Sequence, residues 1–154
     1  MRKRLVPHNR SGYVNGPQWL DLTMVTAEVS SEDPQHPIEC ALLGDDEEGW
    51  RAAEPGVQRL CILFDQPQDL RRIQVSFVER NIARTHEFVL RWSDGKETLT
   101  EIVRQQWNFS PDGAVCENED YRVELTGLIR LELTLNPDIR GSKAHASLAK
   151  LRLA

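Results

Sequence analysis

The segment "VERNIARTHEF", residues 78–88, carries the densest group of side chains that could bind a ligand. It lies between two runs of alternating apolar and polar residues and contains Glu79, Arg80, Asn81, Arg84 and His86. Carboxylate, guanidinium and amide groups bind sugar hydroxyls or a carboxylate through fixed donors and acceptors, and loops on a rigid scaffold concentrate such groups. His86 shares strand parity with Phe88, so we expect its ring to point toward the core. The loop is as compatible with an unliganded surface as with a binding site.

Two further stretches add candidate binding residues. In "QQWNFSPDG", Trp107 and Phe109 share strand parity, with Asn108 between them. An aromatic ring beside an amide can bind the apolar face of a sugar, although core packing is the simpler explanation of Trp107. Arg51 follows Trp50, which we expect to form a lid on the core. The predicted ligand-binding residues are therefore Glu79, Arg80, Asn81, Arg84, Trp107, Asn108 and Arg51.

Residues 45–48, "DDEE", are four consecutive carboxylates. Calcium binds about six to eight oxygen ligands, so an acidic run raises the question of a calcium site. The spacing is not that of an EF-hand loop, and no glycine lies at the centre of the run. Acidic runs of this kind are usually solvated. We interpret the segment as a solvated loop and expect no metal site.

Catalytic motifs are absent from the sequence. It contains no G-x-S-x-G, no H-E-x-x-H and no P-loop. The four histidines, His8, His36, His86 and His145, are far apart, and none has a second histidine three or four residues away. We therefore expect no catalytic residues, no cofactor and no enzymatic activity.

Composition limits the partners and the cellular location. The chain has 154 residues and a net charge of −5, a balance that does not favour nucleic-acid binding. No apolar run approaches a membrane span, and the basic start "MRKRLVPHNRSG" lacks the apolar stretch of a signal peptide. We expect a cytoplasmic protein without a membrane partner. Cys40, Cys61 and Cys116 have no metal-type spacing and are expected to be free thiols.

Alternation with a period of two dominates the chain from Trp19 onward. It is clearest in residues 25–29, 73–77, 88–92, 129–135 and 149–153. This period predicts antiparallel strands with one apolar face, whereas "VQRLCILFD" is apolar on both faces and predicts a strand buried on both sides. Asp94-Gly95 predicts a hairpin turn, and Thr126-Gly127 a weaker one.

The remaining break and turn signals complete the predicted architecture. "QPQD" is expected to break the chain after Phe64, and "PIECALLG" and "SPDGAV" are expected to form short helical turns. Together the patterns predict an all-β, antiparallel β-sandwich of about eight strands. Residues 1–18 are expected to form an irregular N-terminal arm, and residues 19–154 the single sandwich domain.

Several segments resemble the discoidin, or coagulation-factor C-type, galactose-binding-like domain family. "ALLGDDEEGWRA" leads into "VQRLCILFD", "FVLRWSDG" follows, and the last strand reads "SLAKLRL". The resemblance covers roughly Leu20 to Leu153. A shorter segment, "WRAAEPGVQRLCILF", is similar to part of the N-terminal domain of the single-strand-break repair scaffold, which shares this jellyroll fold.

The resemblance implies a non-catalytic binding module, with a carbohydrate as the leading ligand. Related domains that bind calcium tend to supply carboxylates from an "A-L-D-G" segment and from a glutamate of the last strand. This chain has Leu43 and Lys150 at those positions, so the resemblance implies calcium independence. The alternative is an intracellular protein-interaction or scaffold domain, related to DNA repair, whose partner would be a protein or nicked DNA. The oligomeric state is not predicted.

Overall fold

The computed structural model describes residues 18–44, 48–96 and 98–154. These residues form eight strands and one short helix, which confirms the predicted antiparallel sandwich of about eight strands. In chain order the elements are β1 Thr26–Val29, α1 Ile38–Leu42, β2 Trp50–Pro55, β3 Gln58–Val78, β4 Arg84–Ser93, β5 Thr100–Phe109, β6 Cys116–Asn136, β7 His145–Leu148 and β8 Lys150–Leu153. The expected arm falls mostly in residues 1–17, outside the described residues, so the predicted domain boundaries stay a prediction.

Two long bent strands, β3 and β6, contribute to both layers of the sandwich. The first half of β3 pairs with β1 and with the second half of β6, which in turn pairs with β4. The second half of β3 pairs with β8 and with the first half of β6. Strands β4 and β5 pair at the edge of the first layer, and β2 and β7 form a separate two-stranded sheet. Each layer therefore takes one half of each long strand.

Two predicted chain breaks are wrong. The "QPQD" segment lies inside β3, where the register with β6 shifts three times between Leu63 and Arg72. Likewise β6 continues through Gly127, whose φ is 73°. Bulges bend a strand without ending its ladder, and they also tolerate Pro67, which has no N–H to donate. The local signals marked bends within strands, not loops between them.

The core lies between the two layers and follows the predicted parity. Phe77 of the second layer and Phe88 of the first have ring centroids 4.9 Å apart, and both side chains are buried. Trp50 is fully buried, and its Nε1–H donates to the carbonyl of Ser31 at 3.2 Å. The expected core position of Trp50 is confirmed. Adjacent side chains of a strand point to opposite faces. Because Trp50 points into the core, the side chain of Arg51, the next residue of β2, points outward.

The short elements agree with the sequence in kind, and one differs in length. Helix α1 ends at Leu42, before Gly44, as expected. The segment "SPDGAV" forms a turn in which the N–H of Ser110 donates to the carbonyl of Ala114. The predicted hairpin at Asp94-Gly95 joins β4 and β5. Its loop is longer than a two-residue turn, since β4 ends at Ser93 and β5 begins at Thr100. No helix among the described residues is long and apolar enough to cross a membrane.

Candidate functional site

A polar depression of about 280 Å³ lies where the loop after β3 approaches strands β2 and β7. We call it the loop-end pocket. Its lining residues are His36, Glu48, Arg51, Val78, Glu79, Arg80, Asn81, His145 and Ser147. Four of the seven predicted ligand-binding residues therefore share one surface: Arg51, Glu79, Arg80 and Asn81. Their role in binding stays a prediction.

The β2–β7 pairing positions one wall of the loop-end pocket. Arg51 lies opposite Ser147 in the ladder, and its N–H donates to the carbonyl of His36 at 3.0 Å. Just before this pair, Gly49 has a φ of 64°, and a Cβ there would lie 2.1 Å from the carbonyl oxygen of Leu148. Only glycine permits so close an approach of two backbones. Gly49 thus allows β2 to start directly against the end of β7.

Arg84 lies beneath the pocket, and its predicted place in the loop between two strands is wrong, whereas its ligand-binding role stays a prediction. It is the first residue of β4 and its side chain is 2% exposed. The Nε–H donates to Glu79 Oε1 at 2.8 Å and Nη1 donates to the carbonyl of Pro137 at 2.7 Å. The guanidinium carbon also lies 5.3 Å from the ring centroid of Phe109. Burial lowers the pKa of Arg84, and the charge of Glu79 opposes that shift. Arg84 is therefore placed to hold Glu79 and not to reach a ligand directly.

Glu79 is a fixed acceptor at the mouth of the loop. Besides the bond from Arg84, its Oε2 accepts a hydrogen bond from the backbone N–H of Asn81 at 3.2 Å. Arg80 and Asn81 are exposed, and their side chains make no hydrogen bond or ion pair within the described part of the chain. The loop thus presents one immobilised carboxylate beside a guanidinium and an amide that are open to a ligand.

Two histidines and a hydroxyl complete the pocket. His145 Nδ1 lies 3.0 Å from the carbonyl oxygen of Ala52 and must donate to it, so a neutral ring keeps Nε2 as an acceptor. His36 Nδ1 lies 3.5 Å from Glu48 Oε2. Arg84 Nη2 lies 3.5 Å from the hydroxyl oxygen of Ser147. The pocket therefore offers donors and acceptors on three sides.

The other two predicted residues, Trp107 and Asn108, lie elsewhere. They line a separate depression of about 370 Å³ that shares no residue with the loop-end pocket. Asn108 faces outward, where its Oδ1 accepts from Thr85 Oγ1 at 2.5 Å. Trp107 is half-buried against the core, and its Nε1 is buried without a hydrogen-bond partner among the described residues. The ligand-binding role of both residues stays a prediction, but the fold does not join them to the loop-end pocket.

His86 points into the core, as its parity predicted. Its Nε2 lies 2.5 Å from Oε1 of Glu117, and both side chains are buried. Burial, with a contribution from the charge of Arg84, lowers the pKa of His86 to about 3. Burial also raises the pKa of Glu117, and that of Glu119 rises to about 7 through burial and the neighbouring Glu117. This acidic pair inside the sandwich carried no sequence signal beyond its strand parity.

Metal ligation finds no support in the part of the chain that the structure describes. No group of three or more His, Cys, Asp or Glu side chains that could hold a metal is present there. The acidic run falls largely outside it, because Asp45, Asp46 and Glu47 are not described. Calcium independence therefore stays a prediction. The three cysteines are free thiols, as expected, and Cys61 of β3 is buried.

Besides Glu48 and Val78, which adjoin predicted segments, sequence reasoning missed three lining residues, His36, His145 and Ser147. None of them lies in a motif, and each enters the pocket through a long-range contact. His145 and Ser147 arrive through the pairing of β7 with β2, and His36 through the backbone hydrogen bond from Arg51. Pairing between segments so far apart leaves no local signal in a single sequence.

Comparison with known proteins supports the fold through structure and not through sequence. No protein-family model matches the chain, and no protein of curated function matches its sequence significantly. The CBM32-3 carbohydrate-binding module from a family 31 glycoside hydrolase of Clostridium perfringens has a TM-score of 0.61 and 20% identity, covering 88% of this chain and 93% of that chain. The family 32 module of C. perfringens NanJ, solved in complex with galactose, has a TM-score of 0.60 and 14% identity, covering 88% and 96%.

A third similar structure is the CBM32 of AlyQ, solved in complex with 4,5-unsaturated mannuronic acid. Its TM-score is 0.58 at 16% identity, covering 90% of this chain and 98% of that chain. At these identities the likeness concerns the path of the backbone. The chain has the discoidin, or galactose-binding-like, β-sandwich fold that its sequence resembles.

Proposed function

We propose that this protein is a non-catalytic carbohydrate-binding module whose ligand occupies the loop-end pocket. The observation that carries the proposal is the convergence there of open hydrogen-bonding groups on a rigid frame. Arg80 and Asn81 are exposed and open, Glu79 is fixed by Arg84, and His145 is fixed by the carbonyl of Ala52. Sugars are recognised by such fixed arrays because each hydroxyl both donates and accepts.

Size and fold support the same assignment. A volume of about 280 Å³ lies just below the usual range of ligand pockets, about 300–1,000 Å³, and suits a single sugar residue. The similar structures include modules solved in complex with galactose and with an unsaturated mannuronic acid. A fold does not determine function, so these ligands guide the choice of probes.

Binding without catalysis or calcium fits the carboxylates of the pocket. Glycoside hydrolysis uses two carboxylates that flank the scissile bond. Here Glu79 is already bonded to Arg84 and to the N–H of Asn81, and Glu48 is exposed beside His36. Both have structural partners, which suits a binding site more than an acid–base pair. We propose that sugar contacts come from side chains alone, without a bridging cation.

The expected affinity determines the experiment. A hexose has about 12 non-hydrogen atoms, and at about 0.3 kcal/mol each the binding free energy is near −4 kcal/mol, or a Kd of about 1 mM. We therefore suggest a glycan array to select probes, followed by titration of ¹⁵N-labelled protein with each sugar to about 20 mM. Amide shifts should map to the loop 79–81 and to Ser147.

A double variant separates specific binding from general effects. Arg80→Ala with Asn81→Ala should abolish the shifts while the melting temperature stays within about 2 °C, because both side chains are exposed. Arg104→Ala, on the outward face of β5, is the matched control and should bind as the wild type does. Sugar-induced shifts that persist in the double variant, or that map to Trp107 instead, would refute this assignment of the site.

A further inference from the structure

We infer that the preferred ligand of the loop-end pocket is an acidic sugar, one that carries a carboxylate such as a hexuronate. This inference rests on the proposed function and narrows it to one class of ligand. It follows from two guanidiniums, those of Arg51 and Arg80, that border the pocket and make no ion pair with another described residue.

The carboxylates around the pocket already have partners. Glu79 is bonded to Arg84 at 2.8 Å, and Glu48 lies 3.5 Å from His36. Arg51 and Arg80 are exposed, and neither makes an ion pair within the described residues. In that part of the chain the two lining guanidiniums are therefore without an ion-pair partner, whereas Glu79 already has one. An anionic ligand can pair with these two guanidiniums.

The buried Arg84 lies beneath the pocket and is paired with Glu79. It cannot turn away from the pocket because Pro137 and Glu79 hold its guanidinium on two sides. Burial is the main cause that lowers the pKa of Arg84, and repulsion from the positive charge of Arg51 adds to it, whereas the charges of Glu79 and Asp138 oppose the shift. A bound anion near Arg51 would relieve the repulsion between the two guanidiniums. A neutral sugar would leave it unchanged.

A carboxylate suits these groups better than a hydroxyl does. A guanidinium binds a carboxylate through two parallel, charge-assisted hydrogen bonds, which are about twice as strong as neutral ones. The ring hydroxyls of the same sugar can bond to Asn81 and Glu79 in the adjacent loop. Because Arg51 and Arg80 are exposed, we expect the carboxylate to improve affinity by about tenfold.

The test compares sugars that differ only at one carbon. The full chain is titrated with D-galactose and D-galacturonate, and in parallel with D-glucose and D-glucuronate, while NMR monitors the amides of the loop 79–81. In at least one pair the uronate should bind about tenfold more tightly than the neutral sugar. That preference should shrink as the salt concentration rises from about 0.05 M to 0.5 M, because both guanidiniums are accessible to ions. Acetate tests whether a carboxylate without a sugar suffices.

Variants assign the preference to the two guanidiniums. Arg51→Gln and Arg80→Gln should each lower the ratio of uronate to neutral-sugar affinity, whereas Arg104→Gln should preserve it. Equal affinity for the uronate and its neutral partner would overturn the inference and leave the proposed function intact. Binding of acetate as tight as that of the uronates would show a simple anion site and would also overturn it. No response to any sugar would remove the proposed function as well.

Discussion

Replacing Arg84 with methionine should destabilise the folded protein much more than removing an exposed arginine does. The side chain of Arg84 is 2% exposed and that of Glu79 is 11% exposed, so their ion pair lies inside the protein. Methionine keeps the length and apolar body of the side chain but removes the guanidinium. Glu79 then retains its charge with only the N–H of Asn81 as a partner, and the carbonyl of Pro137 loses its donor.

The magnitude follows from this burial. Removing one partner of a buried ion pair costs about 3–5 kcal/mol, most of it the penalty of leaving the other charge uncompensated. Glu79 keeps some contact with water, so we expect the lower end, about 3 kcal/mol. For a chain of this size each kcal/mol corresponds to about 2–4 °C, so the melting temperature should fall by about 6–12 °C. Sugar binding should weaken too, since Glu79 loses its fixed position.

The assay is urea unfolding of four proteins at neutral pH: wild type, Arg84→Met, Glu79→Gln and the double variant. The double variant should be more stable than Arg84→Met alone, because no isolated charge remains. Arg104→Met serves as the control; its pairs with Glu87 and Glu101 are exposed, so it should lose no more than about 1 kcal/mol. If Arg84→Met is no less stable than this control, the ion pair does not organise the pocket.

Three further predictions concern the frame, the metal and the acidic pair. Gly49→Ala should cost about 3 kcal/mol or more, because the added Cβ meets the carbonyl of Leu148, whereas Gly56→Ala, with nothing within 4 Å of its Cβ, should cost only about 1–2 kcal/mol for its positive φ. Melting curves in chelator and in millimolar calcium should coincide, and a rise of about 5 °C or more with calcium would show a specific site. The folded pKa of Glu119, about 7, exceeds its unfolded value near 4.5, so its contribution to stability is present below pH 4.5 and is lost as the pH rises to about 7. Glu119→Gln should therefore be more stable than wild type at pH 8 but not at pH 4.5, and unfolding free energies that differ equally at both pH values would contradict the shift.

The fold was predictable because its strands alternate over long stretches. In residues 73–77 the inward Ile73, Val75 and Phe77 are all buried, as a period of two requires. The two bends were not predictable in the same way. Proline in "QPQD" and Gly127 both indicate irregular backbone, but whether hydrogen bonding continues depends on a partner far away in sequence. Gln68 remains paired with Leu128, so the ladder survives the bend.

For the site as well, residues within one short segment were predictable, whereas those brought together by long-range pairing were not. Glu79, Arg80 and Asn81 were predictable because they share one short loop. Trp107 and Asn108 are adjacent in a strand, so the period of two implied side chains on opposite faces of the sheet. They line one depression because β5 is an edge strand.

Arg84 was the avoidable error. The parity that correctly placed His86 inside applies equally to Arg84, two residues earlier, once β4 is allowed to begin there. Ser147, by contrast, was beyond reach, because only its pairing with Arg51 brings it to the pocket. The same pairing sets the charge of the site. Arg51 borders the pocket because Gly49 lets β2 start against β7, so the proposed preference for an acidic ligand would depend on this glycine. A protein folded without that close approach would keep the binding loop and lose the second guanidinium.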